Sequence, residues 1–152
     1  MNLTQKETAL LNELKSAEQL CIDKYQKYSN EASDTELKNL FNQIGQVEQG
    51  HLDTLNQMLN GSVPVIGNSN SNSQTTTVTD NLANAATAKE QENDKYLCTD
   101  ALSMEKHVSS MYDTSVFEFV SPNTRNILNH IQKEEQEHGE KIYNYMSQNG
   151  MY

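Results

Sequence analysis

Two Glu-x-x-His pairs, Glu48–His51 and Glu135–His138, carry the side chains of this sequence that are best suited to metal binding. On a helix, residues three positions apart lie on one face about 5 Å from each other. Each pair could therefore present a carboxylate and an imidazole to the same ion. Mixed oxygen and nitrogen donors suit divalent iron or manganese, and zinc is also compatible with them.

Two single glutamates complete the predicted ligand set. Glu18 lies 30 residues before Glu48, and Glu105 lies 30 residues before Glu135. Four carboxylates and two neutral imidazoles balance the charge of two divalent cations. One Glu from each of two helices plus Glu-x-x-His from each of two others is the ligand set of di-iron and di-manganese carboxylate bundles. The predicted metal ligands are Glu18, Glu48, His51, Glu105, Glu135 and His138.

The second and fourth predicted helices place these pairs among apolar residues. The stripe of the second helix is Leu37, Phe41, Ile44, Glu48, His51, Leu55 and Met58. The stripe of the fourth helix is Thr124, Leu128, Ile131, Glu135, His138, Ile142 and Tyr145. Alternating steps of four and three are typical of core positions in a helical bundle. Isolated charges are costly to bury, so bound metal is the expected compensation for these polar residues.

The two halves of the chain repeat this pattern at an offset of 87 residues, which relates Glu18 to Glu105 and Tyr25 to Tyr112. An offset shared by all the candidate ligands indicates an internal repeat of a helical hairpin. Both tyrosines are predicted to be core aromatics, with a role beside the metal as the alternative. The remaining histidines, His107 and His130, fall off the stripes and are expected at the surface.

Four helices are predicted, over about 4–32, 34–60, 87–120 and 122–147. The expected capping signals are Ser33-x-x-Glu36, Thr87-x-x-Glu90 and Ser121-Pro122 at helix starts, and Asn60-Gly61 at a helix end. Short connections make the first and second helices antiparallel neighbours, and likewise the third and fourth.

The segment over about 61–86 is rich in Ser, Asn and Thr and is far longer than an antiparallel hairpin needs. It is long enough to run the length of a bundle, so it is predicted to be a crossover between the second and third helices. The expected fold is therefore all-α, a ferritin-like up-down-down-up four-helix bundle that forms a single domain over residues 1–152.

Composition excludes several classes of protein. The formal net charge of -10 is a poor match to nucleic acid or to an anionic membrane surface. There is no run of about 18 apolar residues and no basic-plus-apolar leader, which predicts a soluble chain without a signal peptide. Cys21 and Cys98 are too few and too far apart for a disulfide framework. The absence of C-x-x-C excludes a rubredoxin-type iron site and a zinc ribbon.

Longer stretches carry a family resemblance. "DKYLCTDALSMEKHVSSMYDTSVFEF" followed by "LNHIQKEEQEHGEKIYNYM" resembles the spore coat protein F (Coat F) family of endospore-forming bacteria. The N-terminal half, from "LTQKETALLNEL" to "QVEQGHLDTLNQML", is similar to the first half of the same proteins. The resemblance implies a ferritin-like fold and a place in the spore coat after synthesis in the mother-cell cytoplasm. It implies other coat proteins as partners, and a homodimer is compatible with it.

Three functions are then distinguished. The favoured one is a structural coat protein with a candidate di-metal site, for which no catalytic residue is assigned. The alternative is a di-iron or di-manganese oxidoreductase that detoxifies peroxide, which would need an external reductant because the chain has no rubredoxin module. Iron storage would require a large closed shell, which the family does not suggest.

Overall fold

Four helices make up the described part of the chain. The computed structural model describes residues 2–64 and 87–152. The helices are α1 (Gln5–Glu31), α2 (Thr35–Leu59), α3 (Ala88–Val116) and α4 (Pro122–Gln148), and no strand occurs among the described residues. This confirms the all-α four-helix bundle. Apart from residues 61–64, the predicted crossover lies outside the described residues.

Three of the predicted capping signals are confirmed. Thr87 and Glu90 form a capping box at the start of α3, and Ser121 caps α4 with Pro122 in its first turn. Asn60 caps the end of α2, where Gly61 takes a positive φ of 82° that a side chain would disfavour. The start of α1 is a further capping box, in which the Thr4 hydroxyl accepts from the Glu7 N–H.

The capping box predicted at Ser33 is wrong. The N-cap of α2 is Asp34, whose carboxylate accepts a hydrogen bond from the Glu36 N–H. Asp94, on α3, supplies the carboxylate that a capping box would have taken from Glu36. Its two oxygens accept from the N–H groups of Ser33, at 2.8 Å, and Asp34, at 3.0 Å.

α3 ends at Val116, earlier than the predicted residue 120. Tight turns follow it, because the Glu118 and Phe119 N–H groups donate three residues back instead of four. The turns leave Phe119 buried in the core, while the Val120 N–H donates to Glu7 at 3.0 Å. Arg125 fixes the same connection by donating to the carbonyls of Phe119 and Val120.

Each helix of the bundle runs antiparallel to the helices beside it. The hydrogen bond from Val120 to Glu7 joins the end of α3 to the start of α1, and Asp94 joins the start of α3 to the end of α1. Tyr145, near the end of α4, donates to Asp34 at the start of α2, at 2.6 Å. The core between the helices is lined by Leu, Ile, Phe, Met and Tyr side chains of all four.

The repeat extends to the ends of the bundle. Glu7 and Asp94 are 87 residues apart, and both are buried. Each carboxylate, from the first helix of one hairpin, accepts backbone N–H groups from the connection of the other hairpin. The two hairpins therefore hold each other's turns. None of the helices of the described residues has both the length and the apolar character that crossing a membrane would require.

We expect Asp94→Ala to lower the free energy of unfolding by about 1–3 kcal/mol, because two backbone N–H groups lose a charged acceptor. Urea denaturation would measure the change. Asp113→Ala is the matched control, since Asp113 is exposed on the same helix and experiences the same change in helix propensity. Equal effects of the two substitutions would contradict the role assigned to Asp94.

Candidate metal centre

The structure brings all six predicted ligand residues together at the middle of the bundle. α1 contributes Glu18 and α3 contributes Glu105, whereas α2 and α4 each contribute a Glu-x-x-His pair. None of the six residues is more than 3% exposed. They form two groups that could each hold a metal ion, with the ligand atoms of each group within 4.8 Å of one another. The groups are Glu18, Glu48, His51 and Glu135, and Glu48, Glu105, Glu135 and His138.

Glu48 and Glu135 belong to both groups, and each presents one oxygen to each histidine. His51 Nδ1 lies 3.0 Å from Glu48 Oε2 and 3.0 Å from Glu135 Oε1. His138 Nδ1 lies 3.1 Å from Glu48 Oε1 and 3.8 Å from Glu135 Oε2. Two carboxylates that each face both imidazoles have the geometry of bridging ligands between two ions.

Glu18 and Glu105 instead belong to one group each. One oxygen of Glu18 accepts a hydrogen bond from the Tyr112 hydroxyl, and one oxygen of Glu105 accepts from the Tyr25 hydroxyl. The second oxygen of Glu18 faces His51 Nδ1 at 3.7 Å, and that of Glu105 faces His138 Nδ1 at 3.6 Å. Each of these glutamates is therefore oriented by a tyrosine and offers one oxygen beside a histidine nitrogen.

The two tyrosines are core aromatics as predicted, and both are fully buried. Each also contacts a candidate ligand, which is the position that the alternative role beside a metal would require. The contacts cross between the hairpins: Tyr25 of α1 reaches Glu105 of α3, and Tyr112 of α3 reaches Glu18 of α1. Burial and the nearby carboxylates raise the pKa of both phenols well above its usual value, so both remain protonated donors.

Protons keep the cluster neutral when no cation is bound. Burial raises the pKa of Glu18 to about 8 and that of Glu105 to about 9, so both are protonated at neutral pH. Burial opposes ionisation of Glu48 and Glu135 as well, but the two adjacent histidines outweigh it and lower the pKa of both carboxyls.

The histidines supply the matching positive charges. Burial would lower the pKa of His51, but its hydrogen bonds to Glu134 and to the cluster carboxylates raise it well above the usual value. The same balance, with Glu105 as the first partner, raises the pKa of His138 to about 11. Two carboxylates and two imidazoliums therefore balance at neutral pH, beside two neutral carboxylic acids.

The surrounding side chains do not pair all of the cluster's oxygens. Four buried oxygens form no hydrogen bond of good geometry with another described residue: Glu18 Oε2, Glu105 Oε2, Glu135 Oε1 and Glu135 Oε2. Glu135 Oε1 lies 3.0 Å from His51 Nδ1, which also faces Glu48 Oε2 at 3.0 Å. A cation contacts several oxygens at once, so this donor set fits divalent metal ions.

Glu134 is a functional residue that the sequence pattern missed. Its Oε2 lies 2.9 Å from His51 Nε2 and 3.5 Å from the half-buried His130. Glu134 falls one position off the stripe, and its equivalent in the repeat is Val47, so neither periodicity nor repetition marks it. A ligating histidine usually donates its other N–H to a carboxylate or carbonyl. This rule was the one indication in advance that His51 would have a carboxylate partner outside the ligand set.

The remaining candidates lie away from the ligand atoms. His107 is exposed, as predicted. Cys21 and Cys98 are both buried free thiols. Burial raises the pKa of Cys98 to about 12 and also raises that of Cys21, so neither is a thiolate at neutral pH.

Comparison with known proteins identifies the second hairpin. Residues 93–152 match the Coat F domain, so the resemblance to the Coat F family is confirmed for this part of the chain. The matched part contains Glu105, Glu135 and His138, whereas the other three candidate ligands precede it. No curated protein and no solved structure matches the chain.

Metal uptake at neutral pH should release about four protons per chain, two from Glu18 and Glu105 and two from the imidazoliums. The apparent affinity for metal should therefore fall as the pH falls, because all of these protons compete with the ions. Calorimetric titration in buffers of different ionisation enthalpy measures the release. Uptake of two ions without proton release would contradict the protonation states given above.

Gly45 and Gly50 give a second prediction, about the position of Tyr25. A Cβ at Gly45 would lie 3.3 Å from the Tyr25 Cβ, whereas a Cβ at Gly50 would meet nothing within 4 Å. Gly50→Ala should raise the free energy of unfolding by up to about 1 kcal/mol through helix propensity. Gly45→Ala should lose this gain, because Tyr25 is fully buried and bound at its hydroxyl. Chemical denaturation measures both changes. Equal stabilisation by Gly45→Ala and Gly50→Ala would contradict the prediction, because it would mean that α1 and α2 can move apart at Gly45 without cost.

Proposed function

We propose that this Coat F domain chain is a spore coat protein whose bundle core holds two divalent metal ions. The observation that carries the metal centre is the pair of buried donor groups that share Glu48 and Glu135. In this proposal the shared carboxylates bridge the ions. Glu18 and His51 complete one position, which we name the His51 position. Glu105 and His138 complete the other, which we name the His138 position.

The proposed fold is a ferritin-like up-down-down-up bundle that forms one domain over residues 1–152. The antiparallel contacts of α1 with α3 and of α2 with α4 support it. In this arrangement α2 and α3 point the same way, so residues 65–86 would connect opposite ends of the bundle. The ligand order Glu, Glu-x-x-His, Glu, Glu-x-x-His is the set described for di-iron and di-manganese carboxylate bundles.

The chain's own residues would hold the ions in three ways. The histidines bind through Nδ1, since this nitrogen of each ring faces the carboxylates. Tyr25 and Tyr112 fix the terminal glutamates by donating to the oxygens that face away from the histidines. The apolar core around the cluster limits access of water. Iron or manganese bound here would supply redox chemistry toward peroxide or dioxygen.

The coat assignment rests on the Coat F domain. The chain would be made in the mother-cell cytoplasm and assembled with other coat proteins, and a homodimer is a further proposed assembly. Its net charge of -10 favours basic protein partners over nucleic acid or membranes. Mass spectrometry of purified spore coats tests the location. Absence of the chain from the coat fraction would overturn the coat assignment and leave the metal centre standing.

A di-metal oxidoreductase is the second candidate function. The observation in its favour is that two buried phenols contact the candidate ligands, because a tyrosine beside a redox centre can supply an electron as well as a hydrogen bond. Consumption of hydrogen peroxide by the metal-loaded protein with an added reductant tests it. Loss of turnover in Glu135→Gln with retention in Glu137→Gln would support catalysis. Metal-loaded protein that leaves peroxide unchanged would exclude it.

The proposed metal centre predicts two ions per chain in protein produced in medium supplemented with iron or manganese. Glu135→Gln should lower the occupancy of both positions, because Glu135 belongs to both groups. Glu137→Gln is the matched control, an exposed glutamate on the same helix. Elemental analysis measures the content, and anomalous scattering at the metal edge locates the ions. Folded protein that binds no metal would overturn the proposal.

A further inference from the structure

We infer that the two metal positions are unequal: the His51 position binds its ion more tightly, and the His138 position exchanges ions through a groove between α3 and α4. This inference rests on the proposed metal centre and adds to it the order and the route of loading. Two independent departures from the internal repeat carry it. One is Glu134, a carboxylate beside His51 whose repeat equivalent is a valine. The other is Gly139, whose repeat equivalent is a leucine.

The first departure is Glu134. Its carboxylate binds His51 Nε2 at 2.9 Å and is itself about one quarter exposed, with a side-chain exposure of 23%. The repeat equivalent of Glu134 is Val47, which cannot accept a hydrogen bond. Among the residues that the structure describes, no carboxylate hydrogen-bonds His138 Nε2. The two imidazoles therefore differ at Nε2, the nitrogen on the far side of the ring from the proposed ions: His51 has a carboxylate partner there, and His138 has none among the described residues.

A carboxylate on the far nitrogen strengthens a histidine ligand. It fixes the tautomer and the ring orientation and makes the ligating nitrogen more basic, and loss of such a partner typically costs about 10–100-fold in metal affinity. Glu134 is thus a positioning residue that acts through His51. Because His138 lacks an equivalent partner in the described part of the chain, the His51 position should fill first.

The second departure is Gly139, which lies in a groove between α3 and α4. The groove has a volume of about 680 Å³, and its lining includes Glu105 and Glu135, two of the ligands of the His138 position. The repeat equivalent of Gly139 is Leu52, a buried side chain on α2. A Cβ at Gly139 would make ordinary contact with Leu102 Cδ1, at 3.6 Å, so a larger side chain there would occupy the groove.

The walls of the groove suit a hydrated divalent cation or a small polar molecule such as hydrogen peroxide. Ser109, Gln132 and Gln136 line it with hydroxyl and amide groups, and Asp113 and Glu140 add two negative charges against the one positive charge of Lys106. Carboxylates beside a groove raise the local concentration of cations. The groove borders Glu105 and Glu135 and no ligand that belongs to the His51 position alone, so it leads toward the His138 position.

The equilibrium test is a titration of metal-free protein with Mn²⁺, with the free ion measured by electron paramagnetic resonance. Wild-type protein should bind two ions in two resolved steps. Glu134→Gln should weaken the tighter step by about 10–100-fold and leave the weaker one unchanged. Glu134→Asp should restore part of the loss, and Glu137→Gln should match wild type. Thermal unfolding of the metal-free variants verifies that they are folded.

The kinetic test compares Gly139→Leu with Gly50→Leu, a substitution into open space on α2. Stopped-flow uptake of Mn²⁺ should slow several-fold in Gly139→Leu while its affinities stay near those of wild type, and Gly50→Leu should load at the wild-type rate. Two equal binding steps, or equal uptake rates in the two leucine variants, would overturn the inference while the metal centre stands. Binding of no ion would overturn both.

Discussion

The structure depends on one constraint: four carboxyl groups meet in the core of a bundle, and their charge must be balanced inside it. Two balanced states are available to the same six side chains. With protons, Glu18 and Glu105 are neutral acids while two imidazoliums offset Glu48 and Glu135. With two divalent ions, all four carboxylates and two neutral imidazoles reach the same net charge. The core is thus close to neutral in the protonated state and would remain so with two divalent ions bound.

The rest of the bundle is built to keep these groups in register. Each hairpin provides a bridging glutamate and a histidine on its second helix and a terminal glutamate on its first. The tyrosines then bind across the hairpins, as do the carboxylates of Glu7 and Asp94 at the two ends. A hairpin alone would have three of the six candidate ligands and a tyrosine hydroxyl without its glutamate partner. The backbone N–H groups of its connection would also lack their carboxylate acceptor. The polar contacts therefore favour association of the two hairpins in one relative position, which apolar packing alone would specify less strictly.

The six candidate ligands could be found in the sequence because their signal is periodic and occurs twice. Steps of four and three fix the inner face of each helix, and the offset of 87 residues excludes coincidence. What the sequence could not provide were contacts between residues distant in the chain. The capping box at Ser33 failed because Asp94, about 60 residues later, takes its place. The early end of α3 depends on turns that bury Phe119 and on an acceptor from α1. Glu134 has no counterpart in the repeat and lies off the stripe, so only the distance to His51 reveals it.

The places where the repeat fails are as informative as those where it holds. Duplicated hairpins would by themselves give two identical metal positions and two identical surfaces. Glu134 and Gly139 break this equivalence, and both lie in the part of the chain that matches the Coat F domain, whereas Val47 and Leu52 lie outside it. The hairpin of α3 and α4 thus carries the carboxylate behind His51 and the groove beside Glu105, while the hairpin of α1 and α2 supplies the other three candidate ligands. In the proposed coat assembly, partners would cover part of the surface, whereas the proposed metal centre would need its groove to stay open. Both departures from the repeat lie on α4, so the groove between α3 and α4 is the face that would stay open.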